Sequence, residues 1–282
     1  MKKHAYLIMA HDNFYCLEKL IKLLDDPRND IFLHIDSKVK KFDFYYFQGL
    51  CEKAKLFYPR KRINVQWGTQ SQVKTEMLLM ETACTYGPYH YYHILSGADL
   101  PLKDQGTIHK WFQEKTSSYL YYSADTNKWD VQRVSRYHFA FHTKNFLLTR
   151  INGFFSRIQE RLAVDRVKKF GLVIKKGGNW ASLTQEAVEL LLANKAVIMK
   201  LTRFSVCADE LYKQTILLHN NLPVICNDLR MIVWTNGHHP HTFLTSDYEQ
   251  LCNTDRFFAR KFSENVDRQI IDMVEKKVRG ES

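Results

Sequence analysis

The stretch YYHILSGADLPLK, residues 91–103, decides how the rest of the chain is read. Tyr91, Tyr92, His93, Ile94 and Leu95 form an aromatic and branched run that stops at Gly97 and Pro101. Such a run reads as a buried strand ending in a tight, polar-tipped loop. In open α/β sheets, ligands gather at the carboxyl ends of the strands. Asp99 stands at such an end, two residues from Gly97, where backbone can approach a ligand closely. Two readings fit Asp99: a site residue, or the cap of the next helix.

Upstream, residues 5–10 read as a first buried strand closed by His11, Asp12 and Asn13. Phe14, Leu17, Leu20, Ile21, Leu23 and Leu24 then recur with helical spacing. Residues 31–35 are a second strand, tipped by Asp36, Ser37 and Lys38. Two strands around a helix, each with a polar tip, open a nucleotide-binding sheet. No GxGxxG follows the first strand, which argues against a dinucleotide site. Further short strands are expected at 56–58 and 63–67, and a helix at 72–86 behind a turn at 68–71.

Downstream, a short helix is expected at 108–114 and a strand at 119–122. Residues 125–142 interleave Arg133, Arg136, Tyr137, His138, Phe139 and His142. In a loop, that alternation suits sugar faces and hydroxyls, or stacked bases; a half-buried strand with a basic outer face has the same pattern. Residues 152–170 read as a basic amphipathic helix, Phe154, Phe155, Ile158, Leu162 and Val167 against Arg157, Arg161, Arg166, Lys168 and Lys169. It could lie on an anionic membrane or pack its apolar face on the core. A turn at 175–179, a strand at 180–183, helices at 184–199 and from 205, a strand at 224–234 and a helix at 265–279 complete the reading.

The chain has 282 residues, 45% of them apolar, enough for a sizeable core. Without a clear linker it reads as one large α/β domain rather than two small ones. The net charge of +11 favours an anionic partner: a nucleotide, a membrane surface or nucleic acid. The charge is dispersed and no helix-turn-helix, OB or RRM signature is present, so nucleic acid is the weaker reading. The six cysteines lie far apart without a CxxC pair. That excludes a zinc pattern and a secreted disulfide framework and suits reduced thiols in a cytosolic enzyme. No run approaches the roughly 20 apolar residues of a membrane span, and residues 5–10 are too short for a signal sequence. A cytoplasmic protein, soluble or peripheral on the inner face of the membrane, is expected.

Asp209 and Glu210 open a helix, where carboxylates complement the dipole. One of them could cap while the other faces a cleft and takes a proton from an acceptor hydroxyl. In FFARKF (257–262), Arg260 and Lys261 sit between aromatics, at a strand edge or facing a phosphate. His238, His239 and His241 do not have metal-ligand spacing around Pro240. No Asp-x-Asp occurs, so a departing diphosphate would have to be neutralised by the chain's own cations.

Taken together, AYLIMAH (5–11), IFLHIDSK (31–38), VQWGTQSQVKTE (65–76), YYHILSGADLPLK (91–103), KGGNWASLT (176–184), SVCADELYKQTI (205–216) and FFARKF (257–262) resemble the core-2/I-branching family of β-1,6-N-acetylglucosaminyltransferases. That family, glycosyltransferase family 14, also includes the peptide O-xylosyltransferases. The resemblance implies a GT-A-like α/β fold with a central mixed sheet flanked by helices. It implies a UDP-sugar donor, inversion at the anomeric carbon and no divalent metal. Glu210 matches the family's catalytic base and Lys261 a lysine on the donor diphosphate. A second family cation falls about where His239 or His241 stands, so an arginine is missing there. His11 and Asp36 fall where base and ribose are held; Trp67, Ser71, His241 and Arg260 fall on the same donor side. Asp99, Arg133, Arg136 and Trp180 fall near the sugar and acceptor subsites. The chain looks like a prokaryotic relative moving GlcNAc from UDP-GlcNAc to a glycan or lipid-linked saccharide in cell-surface polysaccharide synthesis. A UDP-xylose-dependent xylosyltransferase and a non-catalytic basic nucleic-acid-binding protein are the rival readings.

Overall fold

The computed structural model describes residues 2–139, 146–235 and 239–281. The first half alternates strands and helices: β1 (His4–Ala10), α1 (Phe14–Leu23), β2 (Asn29–Ile35), α2 (Phe44–Gln48), β3 (Lys55–Phe57), α3 (Gln70–Cys84) and β4 (Tyr91–Ser96). Then come β5 (Asp99–Pro101), α4 (Gln105–Phe112), β6 (Ser118–Tyr122), α5 (Lys128–Ser135), α6 (Phe146–Arg161), β7 (Gly177–Thr184), α7 (Gln185–Ala193) and α8 (Lys195–Thr202). The chain continues through α9 (Tyr212–His219), β8 (Val224–Cys226), β9 (Arg230–Ile232), β10 (Trp234–Thr235), β11 (His239–Pro240), α10 (Tyr248–Asn253), β12 (Phe258–Arg260) and α11 (Arg268–Arg279).

The main sheet runs β3-β2-β1-β4-β7-β6-β8. β1 pairs in parallel with β2 and β4, and β2 with β3. β7 is antiparallel to both β4 and β6, and β8 is parallel to β6. This is the α/β arrangement expected, a mixed central sheet flanked by helices. β1 shows why it is buried on both faces. Tyr6 and Ile8 join one core with Leu20, Ile31, Ile271 and Val274, while Ala5 and Leu7 join the other with Val73, Met77 and Val188. The strand's period of two divides these side chains between the faces.

A second sheet has the order β5-β12-β9, with Arg260 opposite Asp99 in the β12–β5 register. At the β6–β7 seam, a Cβ on Gly177 would come within 2.0 Å of the Tyr121 carbonyl oxygen. Only glycine fits that approach, and the β6–β7 register shifts just there.

Several expectations are corrected. Asp99 does not cap a helix: it lies in β5, and Asp104 caps α4 by accepting from the Thr107 amide at 2.9 Å. Residues 63–67 form no strand; the Ile63 amide donates to His34 Nε2 at 2.8 Å and the Val65 amide to Asp36 at 3.2 Å. Residues 128–135 are helix α5, neither loop nor strand, because Asn127 caps it at the Asp130 amide; His142 lies outside the described residues. The basic helix ends at Arg161, where Ala163 takes a φ of 49°. Gly177, Gly178 and Asn179 are strand, not turn. The expected helix 184–199 divides at Asn194 into α7 and α8, and 224–234 divides among β8, β9 and β10.

Candidate active site

The carboxyl tips of the parallel strands meet. The Asp36 amide donates to the Ala10 carbonyl at 2.9 Å and the Gly97 amide to Met9 at 3.0 Å. A Cβ on Gly97 would lie 2.9 Å from that of Ala10, so glycine lets β1 and β4 close together here. His11 is exposed beside Asp12 at 3.4 Å. Asp36 is buried and accepts from the Lys38 and Val65 amides. It ties the end of β2 to the segment before α3.

Glu210 lies on a 3-10 turn, Ala208–Glu210, entered through left-handed conformations at Phe204 and Cys207. The Cys207 amide donates to the Gly68 carbonyl at 2.7 Å, docking this turn on the loop before α3. Trp67 on that loop is exposed, and Ser71 Oγ closes the loop by accepting from the Gln66 amide at 2.7 Å.

Arg133, near the end of α5, donates to Glu210 Oε2 at 2.7 Å, to Asp130 at 3.0 Å and to the carbonyls of Val206 at 3.1 Å and Cys207 at 2.5 Å. Its guanidinium is buried and makes four hydrogen bonds, while the Glu210 side chain stays 34% exposed. Arg133 thus stands behind the carboxylate and orients it. Arg136 turns to Glu160 of α6 at 3.6 Å.

Beneath Glu210 is a buried charged network that the sequence reading did not anticipate. Lys213, fully buried on α9, donates to Glu76 of α3 at 2.6 Å, to Asn179 of β7 at 2.8 Å and to the Asp209 carbonyl at 3.1 Å. Tyr212 donates to the same Glu76 oxygen at 2.5 Å. Asp209 does not cap α9. Its buried carboxyl accepts from Gln72 at 3.3 Å and is pushed up to about 7 by burial first, then by Glu76 and Glu210. The adjacent carboxylates therefore divide: Glu210 opens outward and Asp209 holds its proton close to neutrality. The available signal for Lys213 was its position four residues after Asp209; nothing in the spacing pointed to Glu76.

A second group gathers at β5 and β12. Asp99 accepts from the Ser96 amide at 2.7 Å, the Ser96 hydroxyl at 2.9 Å and Arg260 at 2.8 Å. The Arg260 guanidinium lies 4.4 Å from the Trp180 ring centroid, a cation–π contact. The Lys261 amide donates to the His241 carbonyl at 3.3 Å, and His241 Nε2 pairs with Asp247 at 2.7 Å. The two expected diphosphate cations thus stand on adjoining backbones. Asn179 and Trp180, consecutive in β7, join the groups: one reaches Lys213 and the other Arg260. Among the described residues, no three His, Cys, Asp or Glu side chains gather as metal ligands, and no helix is long and apolar enough to cross a membrane.

The chain is similar in structure to mouse xyloside xylosyltransferase 1 in its apo form, with a TM-score of 0.41 and 10% identity over 92% of this chain and 97% of that one. No curated protein matches the sequence. The family model described as Core-2/I-Branching enzyme matches residues 4–254, from the start of β1 through α10. The chain belongs to the Core-2/I-branching enzyme family and is a glycosyltransferase of that type.

Proposed function

We propose that the chain transfers a sugar, GlcNAc, from UDP-GlcNAc to a hydroxyl of a glycan or lipid-linked saccharide, with inversion and β-1,6 linkage, in cell-surface polysaccharide synthesis. The observation that carries this reading is the half-open Glu210 carboxylate, one oxygen held by buried Arg133, on a turn docked on the loop before α3. A carboxylate so held is placed to accept a proton from an attacking hydroxyl. That hydroxyl attacks C1 of the donor sugar from the face opposite UDP. Lys261, with His241 on the adjoining backbone, stabilises the negative charge that develops on the departing diphosphate. Arg260 is already paired with Asp99 and stacked on Trp180, so its part is to shape the sugar subsite.

The same reading needs no divalent metal, because cations of the chain serve the leaving group. It assigns residues 1–123 to the nucleotide and 124–282 to the acceptor and catalysis, and it includes a peripheral contact with the inner face of a membrane. The test is Glu210→Gln, assayed with UDP-GlcNAc and UDP-xylose with and without EDTA. Turnover should fall about 10²–10⁴-fold while UDP still raises the thermal midpoint. Full activity in the variant refutes the base, activity lost in EDTA and restored by Mn²⁺ refutes metal independence, and preference for UDP-xylose replaces the donor.

A further inference from the structure

Helix α6 is amphipathic in the reverse sense. Ile151, Phe154, Phe155, Ile158 and Leu162 fall on one stripe at helical spacing, yet Phe154 is 63% and Leu162 70% exposed, and Phe155 is also exposed. Among the described side chains of the helix, residues 150–161, the buried one is polar: the Gln159 amide group accepts from the Tyr137 amide at 2.7 Å and donates to the Tyr137 carbonyl at 3.1 Å. The apolar stripe continues into an exposed ring cluster. Phe139 lies 6.1 Å from Phe155 and 5.2 Å from Phe204 between ring centroids. Large apolar side chains contiguous on a surface mark a contact site.

Charge selects the occupant. Residues 146–170 carry six Lys or Arg against Glu160 and Asp165. Glu160 is engaged by Lys128 and Arg136, and Asp165 accepts the Val167 and Lys168 amides. Arg157, Arg161, Lys168, Lys169 and Arg203 are exposed around the stripe.

We propose that this face docks on an anionic lipid bilayer, the α6 stripe entering the headgroup boundary and the flanking cations meeting the lipid phosphates. It names the surface for the peripheral contact and rests on the functional reading above. The Phe204 carbonyl accepts from the His138 amide at 2.7 Å, and Phe204 precedes Glu210 by six residues on the same connection. The docked face therefore borders the catalytic turn, where a saccharide carried by a membrane lipid would arrive.

The experiment is co-sedimentation of the full chain with vesicles of phosphatidylcholine alone and of phosphatidylcholine mixed with phosphatidylglycerol. The chain should pellet with the anionic vesicles and stay in solution with the neutral ones. Arg157→Glu with Arg161→Glu should weaken binding at least about 25-fold, roughly fivefold for each cation near the surface. Phe154→Ser with Phe155→Ser should weaken it about tenfold or more, with an unchanged circular dichroism spectrum because both rings are exposed. Equal binding to neutral vesicles, no binding, or full binding by both variants overturns the proposal. So does self-association of the wild type that the phenylalanine variant abolishes, since a second copy then covers the stripe. Sugar transfer to a soluble acceptor is read in parallel. Wild-type chain that pellets with anionic vesicles but transfers nothing refutes the transfer reading and leaves the surface standing.

Discussion

Lowering the pH should unfold this protein early, through histidines at the amino-terminal edge of the sheet. His4 and His93 are buried on β1 and β4, with His4 Nδ1 3.1 Å from His93 Nε2. His109 of α4 stacks on His4 at 4.0 Å between centroids and hydrogen-bonds Asn29 at 2.8 Å. Burial pushes His4 down to about 2 and His109 to about 4, and holds His93 well below the ordinary value; neighbouring histidines and Arg28 or Arg230 add to it. In the unfolded chain each takes a proton near 6.5, while in the folded chain it does not. The unfolded state thus binds more protons below about pH 6.5, and stability falls as pH falls, by about 1.4 kcal/mol per unit for each histidine. Asp209 acts in the opposite sense, because its raised carboxyl binds a proton in the folded state between about 4 and 7. His34 of β2, which burial also pushes down to about 4, adds a fourth group, and four against one leave about 4 kcal/mol per pH unit. A domain stability of about 5–15 kcal/mol is then exhausted within a few units. Urea melts followed by tryptophan fluorescence from pH 7.5 to 5 measure the slope. His109→Gln, which removes one titrating ring, should lower it by about 1.4 kcal/mol per unit. A wild-type slope below about 1 kcal/mol per unit between pH 6.5 and 5, or a variant with the wild-type slope, would refute the reasoning.

Lys213→Met leaves Glu76 buried without its cation, and should cost about 3–5 kcal/mol in urea melts, whereas Lys213→Met with Glu76→Leu should regain much of that loss. Arg133→Lys keeps the charge but loses the fork that holds Glu210, Asp130 and two carbonyls. It should lower kcat about tenfold or more and change the pH profile, with UDP affinity unchanged; a wild-type kcat would remove Arg133 from the mechanism. Gly177→Ala drives a methyl into the Tyr121 carbonyl and should lower stability by about 1–3 kcal/mol or more, read as a lower thermal midpoint.

What was legible in the sequence followed from local pattern. β1, α1, β2 and β4 stand close to where apolar runs and helical spacing put them, because their side chains report burial directly. Residues 63–67 alternate like a strand, but their amides are taken by the side chains of His34 and Asp36 at the end of β2. No propensity encodes such a partner. The α5 helix was legible in principle: Asn127 is a good cap and Val131 and Val134 have helical spacing. The aromatic and basic alternation further on obscured it.

The site shows the deeper limit. Glu210 and Arg133 could each be singled out through the resemblance to the family. Their pairing could not, because 77 residues separate them and the contact exists only once the Cys207 turn docks on Gly68. The same holds for Lys213 and Glu76, 137 residues apart. Asn179 of β7, the strand inserted between β4 and β6, completes the Lys213 cluster, and Trp180 beside it meets Arg260 rather than either pair. A charged side chain's type is written in the sequence, but whether it meets substrate or a buried partner is decided by topology. Arg133 illustrates this: a cation in an aromatic and basic stretch, it spends its donors on Glu210, Asp130 and the carbonyls of Val206 and Cys207.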